Sequence, residues 1–267
     1  MMATLPVLFV SHGAPTFATE PGLAGPLLGE LGRRLGGIEA VLVLSPHWMT
    51  RGGVAVTASE RPETIHDFGG FPQALYQLRY PVAGHPALAA RTVELLQAAG
   101  WASALDPHRG LDHGAWVPLL HLLPEARVPV FQVSLPYPLD TAGALRLGQA
   151  LAPLRDEGVL IVASGSLTHN LYEFRQQGEA AGYVRDFTRW IRQTLQADDS
   201  QALVDYRQRA PQAERAHPSE EHFLPLLVAQ GARRVDDSLQ VLDGGIEHGV
   251  LSMDAYLFGT CDNVNSP

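Results

Sequence analysis

Val41-Leu42-Val43-Leu44-Ser45-Pro46-His47-Trp48 is the stretch whose reading decides the fold. Four apolar residues in a row, two of them β-branched, stop at Ser45-Pro46 and deliver His47. An uninterrupted apolar run closed by proline is the pattern of a strand buried on both faces, the usual state in a parallel sheet. The design recurs twice. Residues 5–10 end in Ser11-His12-Gly13, and residues 159–163 end in Ser164-Gly165-Ser166-Leu167-Thr168-His169-Asn170. In open α/β sheets the carboxyl ends of neighbouring parallel strands border one crevice, where ligands bind. Three imidazoles delivered there have the form of a mononuclear metal site.

The rest of the chain fits around these strands. Further strands are expected at 52–58 and 128–135. Helices are expected at 22–35, 86–100, 117–123, 141–155 and 183–197, where apolar residues recur at helical spacing. Another helix is expected to open within His217-Pro218-Ser219-Glu220-Glu221-His222-Phe223-Leu224-Pro225 and run to Ala229, and 246–258 to close the sheet as an edge strand. Ile65-His66-Asp67-Phe68-Gly69-Gly70-Phe71-Pro72 is too rich in glycine and aromatic residues for a regular element and reads as a loop lining a site. Alternation of strands and helices, without a linker or repeat, predicts one α/β domain over 1–267. Its central sheet should be mixed, largely parallel and flanked by helices.

Composition narrows the function. A net charge of −9, with scattered arginines, excludes nucleic acid as a partner, because phosphate binding needs clustered cations. The single cysteine, Cys261, excludes an intramolecular disulfide and any cysteine-based zinc site, so a metal must be held by His, Asp or Glu. No apolar run approaches the ~20 residues of a membrane span, and no signal sequence opens the chain, so the expected compartment is the cytoplasm.

The eleven histidines then divide by context. His85, His108 and His121 have the surroundings of structural residues. His12 and His47 each follow a buried strand beside Gly, Ser or Pro, where the alternative is a helix cap. His169 follows a Ser-Gly-Ser turn that could instead cradle an anion. His222 is expected in the first turn of its helix, where the dipole keeps an imidazole neutral and able to ligate. Glu220 and Glu221 beside it are either carboxylate ligands or ordinary partners of that dipole. His66 and His113 sit in loops suited to meeting an aromatic substrate or moving a proton.

These motifs resemble a known family. Ser11-His12-Gly13, Ser45-Pro46-His47-Trp48, the Ile65–Pro72 run with Thr64 before it, Leu111-Asp112-His113-Gly114-Ala115-Trp116, the Ser164–Asn170 turn and Glu221-His222-Phe223-Leu224-Pro225-Leu226-Leu227 together resemble the 4,5-DOPA extradiol dioxygenase family. This is a branch of the class III, protocatechuate 4,5-dioxygenase beta-subunit-like, ring-cleavage enzymes. The resemblance covers nearly the whole chain. It implies one divalent metal ion per chain, held by His12, His47 and His222, with His169 as a further ligand or an acid/base. His113 is implied to face the substrate and His66 to stand behind the site. Fe2+ would be the active metal, and Zn2+ would suit the same imidazoles. The substrates would be a small catechol and O2, and the product a ring-opened semialdehyde carboxylate. His222 departs from the wider class, in which a glutamate often stands as third ligand.

Two other readings stay open on the residues alone. A three-histidine zinc site can activate water for amide or ester hydrolysis, with Glu221 or Asp67 as base. A metal-stabilised protein without catalysis is the other. Oligomeric state is not legible.

Overall fold

A computed structural model describes residues 4–175 and 180–261. Its strands are β1 (Val7–Ser11), β2 (Ala40–Arg51), β3 (Val54–Thr57), β4 (Ser103–Asp106), β5 (Val130–Tyr137), β6 (Val159–Gly165), β7 (Leu239–Leu242), β8 (Ile246–Glu247), β9 (Leu251–Ser252) and β10 (Ala255–Phe258). Its α-helices are α1 (Ala24–Arg34), α2 (Pro86–Ala98), α3 (His113–Leu122), α4 (Thr141–Leu151), α5 (Gly182–Gln196), α6 (Ser200–Val204), α7 (Tyr206–Arg209), α8 (Ala213–Ala216) and α9 (Leu224–Ala232).

Eight strands form one sheet in the order β4-β3-β5-β2-β6-β1-β10-β7, while β8 and β9 pair separately. The centre, β5-β2-β6-β1, is parallel throughout, and the antiparallel joins are β3 to β5, β1 to β10 and β10 to β7. The chain is a single α/β domain with a mixed, largely parallel sheet. Successive side chains along a strand point to opposite faces, and the core divides accordingly. Val7, Phe9, Leu42, Leu44 and Ile161 pack under α2, α4, α5 and α9. Leu8, Val10, Val41, Val43 and Val162 pack under α1 and α3. Among the described residues, no helix is long and apolar enough to cross a membrane.

Several expectations need correction. The 41–44 strand does not end at Pro46. Leu44 pairs with Val133 and Met49 with Leu135, so residues 45–48 lie opposite Ser134 alone and bulge out of a strand that then resumes. Pro46 has no N–H to lose from the ladder, and the bulge aims His47 out of the pleat. The 246–258 segment is not an edge strand. Only β10 joins the main sheet, between β1 and β7, and the edges are β7 and β4, short half-exposed strands that periodicity did not reveal. His217 does not open a helix, because Pro218 disfavours helical backbone before it. The helix there begins at Leu224, with Pro225 in its first turn. Finally, α3 begins at His113 rather than Val117 and carries Pro118 within it.

Candidate metal centre

β2, β6 and β1 are neighbours, so their carboxyl ends open on one crevice. The His12 N–H donates to the Gly165 carbonyl at 2.9 Å, continuing the β1–β6 ladder by one residue. His47 stands in the β2 bulge with its N–H on Ser45 Oγ at 3.2 Å. His169 is tied to the segment before α9 through its N–H on Ala216 O at 2.8 Å, and Ser166 N–H reaches His222 O at 3.0 Å. His113 enters from the first turn of α3, rather than from a loop. Gly114 beside it allows close approach, since a Cβ there would lie 2.3 Å from Ser45 Oγ and 3.0 Å from His47 Cδ2.

His12 Nε2 and His47 Nε2 face each other at 3.1 Å. One ligating nitrogen from each of His12, His47 and His113 lies within 4.8 Å of the others, and the same holds for donor atoms of His169, Glu221 and His222. The two groups adjoin: the His222 ring is 5.4 Å from that of His12 and 5.1 Å from that of His47. His12, His47, His113, His169 and His222 thus gather in one crevice. His66 lies outside both groups. It donates to Leu78 O at 3.0 Å and packs against Phe68, Tyr76 and Trp116. His85 caps α2, and His121 donates to Phe17 O at 2.7 Å, both structural tasks.

The hydrogen bonds around the rings decide where their lone pairs point. Pro118 has no N–H, so the Gly114 carbonyl, its i−4 partner in the helix, needs another donor. Ser164 Oγ supplies it. With its own proton committed, that hydroxyl accepts from His12 Nδ1 at 2.9 Å, which leaves His12 Nε2 as a bare lone pair facing His47. Likewise His222 Nδ1 donates to Glu221 Oε1 at 3.1 Å. His222 Nε2 is then a buried acceptor with no hydrogen-bond partner. Fixing one ring nitrogen so that the other is presented is the usual support of a metal-binding histidine. The residues fit a divalent ion.

Burial keeps His12, His47, His169 and His222 neutral. It holds His12 and His222 well below the ordinary imidazole range, with neighbouring histidines adding to the effect. His47 is lowered to about 3 by burial and His113, against the pull of Asp67. Burial also lowers His169, against Glu221. Neutral imidazole is the form that ligates.

Glu221 and Asp67 both turn their carboxylates to imidazole N–H groups, Glu221 to His222 and Asp67 to His113. Glu220 turns away to Arg207 at 3.0 Å. The sequence reading missed Ser164 as the orienter of His12, although it ends the same strand that leads to His169. It also missed His217, fully buried, whose Nε2 donates to Leu167 O at 2.9 Å and braces the His169 turn.

A parallel-centred α/β domain with neutral histidines converging at its strand ends defines a metal-site enzyme of the doubly wound type. The model of the catalytic LigB subunit of aromatic ring-opening dioxygenase matches residues 30–252. The 4,5-DOPA dioxygenase extradiol of Escherichia coli K12 is 40% identical over 261 residues, spanning 96% of this chain and 95% of that protein. That of Beta vulgaris is 39% identical, spanning 94% and 95%. The crystal structure of an uncharacterized Escherichia coli K12 protein shares the fold at TM-score 0.79 and 32% identity, covering 96% of this chain and 100% of that one. This chain belongs to the LigB family of aromatic ring-opening dioxygenases and is an extradiol ring-cleaving oxidoreductase. Family membership decides against the hydrolase and the non-catalytic reading.

Proposed function

We propose that this enzyme opens the ring of a small catechol of the DOPA type with O2, giving a semialdehyde carboxylate, at one Fe2+ held by His12, His47 and His222. The observation that carries the reading is the lone-pair arrangement: His12 Nε2 faces His47 Nε2 at 3.1 Å, and His222 Nε2 is buried without a partner. We take the domain as 1–267 and its compartment as the cytoplasm, where Fe2+ is kept reduced.

Fe2+ supplies the one-electron chemistry that couples a closed-shell catechol to O2, and Zn2+ fits the same imidazoles without redox chemistry. The chain's own residues prepare the substrate. His113 Nε2 takes the proton of one catechol hydroxyl, so an O–H bond breaks, an N–H bond forms and the electron pair stays on oxygen. Phe68, 5.6 Å from the His113 ring and nearly perpendicular to it, offers an aromatic surface beside that step.

His169 is an acid/base in this reading, rather than a fourth ligand. Its ring lies 3.5 Å from that of His222 with only 9° between the planes. Imidazole lone pairs lie in the ring plane, and an ion sits ~2 Å from the nitrogen it binds. Two nearly parallel rings with centroids 3.5 Å apart cannot both aim in-plane lone pairs at one ion.

The test is oxygen consumption by metal-stripped protein reconstituted anaerobically with Fe2+ or Zn2+ and offered a panel of catechols. Uptake with Fe2+ alone, with a yellow ring-opened product, is expected. No uptake with any catechol from Fe2+-loaded protein overturns the substrate assignment.

A further inference from the structure

The amino end of α3 is capped in an unusual way. Asp112 occupies the N-cap position but makes no side-chain cap bond. Its fully buried carboxylate accepts instead from Gln132 Nε2 at 2.9 Å and faces Arg109 at 3.5 Å. The His113 N–H, one of the helix donors left without an intrahelical partner, is taken by Asp67 Oδ1 at 2.9 Å. Asp67 comes from the 65–72 loop, 46 residues earlier in the chain. The same oxygen lies 3.0 Å from His113 Nδ1, and Oδ2 stands 3.9 Å from His47 Nδ1, beyond hydrogen-bond reach.

We propose that Asp67 is a positioning residue, whose carboxylate fixes His113 as the Nδ1–H tautomer and so presents its Nε2 lone pair to the crevice. An ionised carboxylate only accepts, so the shared proton must sit on Nδ1. Asp67 Oδ1 already accepts the His113 backbone N–H, which can only donate, so the same oxygen serves the ring as an acceptor. A histidine without such a partner favours the Nε2–H form, which would aim a donor into the crevice and leave nothing to accept a proton. Asp67 therefore does for His113 what Ser164 does for His12 and Glu221 for His222. The loop does not depend on this carboxylate for its place. Ile65 N–H bonds Leu111 O at 2.8 Å, and Trp116 Nε1 donates to Ile65 O at 2.9 Å.

The consequence for turnover rests on the catechol reading above, whereas the tautomer does not. The experiment is 15N NMR of labelled histidines in Zn2+-loaded protein, together with steady-state kinetics of the Fe2+ form. In the parent protein His113 should report Nδ1–H. In Asp67→Ala it should move to mainly Nε2–H, with kcat lowered about 10- to 100-fold and KM little changed. Asp67→Asn keeps an oxygen that can accept from both the His113 N–H and Nδ1–H, so it should hold the Nδ1–H form, unfold at the parent temperature and restore kcat to within a few-fold of the parent. An unchanged His113 tautomer in folded Asp67→Ala, or loss of the Nδ1–H form in Asp67→Asn, overturns the proposal and leaves Asp67 a helix cap. A tautomer that shifts in a protein inert toward every catechol upholds Asp67 and overturns the substrate reading alone.

Discussion

The amino and carboxyl ends of the parallel strands both bury polar side chains, and they satisfy them differently. Before β1, Arg155 is 1% exposed, and each of its three nitrogens has an acceptor. Nε donates to Leu5 O, Nη1 to Ala232 O and Asp237 Oδ2, and Nη2 to Asp237 Oδ1, all between 2.7 and 2.9 Å. Beyond β1, β2 and β6, His12 and His222 each have one nitrogen anchored by an oxygen; His12 turns the other to His47, and His222 leaves the other without a partner. A buried polar group without a partner costs roughly 1–3 kcal/mol. The amino end is closed on itself and holds the fold. The carboxyl end carries a deficit of partners that an ion would make good.

That contrast fixes where substitutions should act. The largest effect is expected from His47→Ala, which removes one side of the facing nitrogen pair. Metal content should fall from one ion per chain to almost none and turnover should vanish, both read by elemental analysis and oxygen uptake. Full metal content would remove His47 from the ligand set.

Asp237→Ala should act on stability and leave the crevice intact. It strands a buried guanidinium, for a loss of roughly 3–5 kcal/mol in denaturant unfolding, with metal content unchanged. Burial alone would raise the Asp237 carboxyl, but the Arg155 bonds outweigh it and hold it below its ordinary value. The group is therefore stabilising above the ordinary carboxylate range, and the stability is lost as pH falls through the lowered value. Parent protein should lose this increment on acidification and the variant should not. Loss of metal in Asp237→Ala would break the comparison.

Gly114→Ala is the subtler change. Its Cβ would press on Ser45 Oγ and the His47 ring. Displacing His47 by a fraction of an ångström should lower kcat by up to about 100-fold, with an unfolding midpoint near that of the parent. Parental kcat would show that the His47 position tolerates more freedom than the close packing implies.

Much of this was legible in the sequence, because it was written in buried strands. The runs at 7–10, 41–44 and 159–163 carry no polar residue to confuse their reading, and each ends in the residues that lead to His12, His47 or His169. Helix α5 was equally plain from Val184, Phe187 and Ile191 on one face. What escaped had no local signal. β4 and β7 are four-residue edges with mixed polarity. The start of α3 was hidden because His113, Gly114 and an internal Pro118 all look unlike a helix. Its cap comes from Asp67, across the chain. The orienting roles of Ser164 and Glu221 depend on hydrogen bonds that only the folded chain brings into register. The sequence supplied the histidines, while the choice of exposed nitrogen belongs to the tertiary structure.

The measurement that tests the central claim most directly is an anaerobic calorimetric titration of metal-stripped protein with Fe2+. The account predicts a single site, saturating at one ion per chain and lost in His222→Ala, whose parent Nε2 has no other partner. Unaltered binding to that variant, or no binding to the parent, would contradict it.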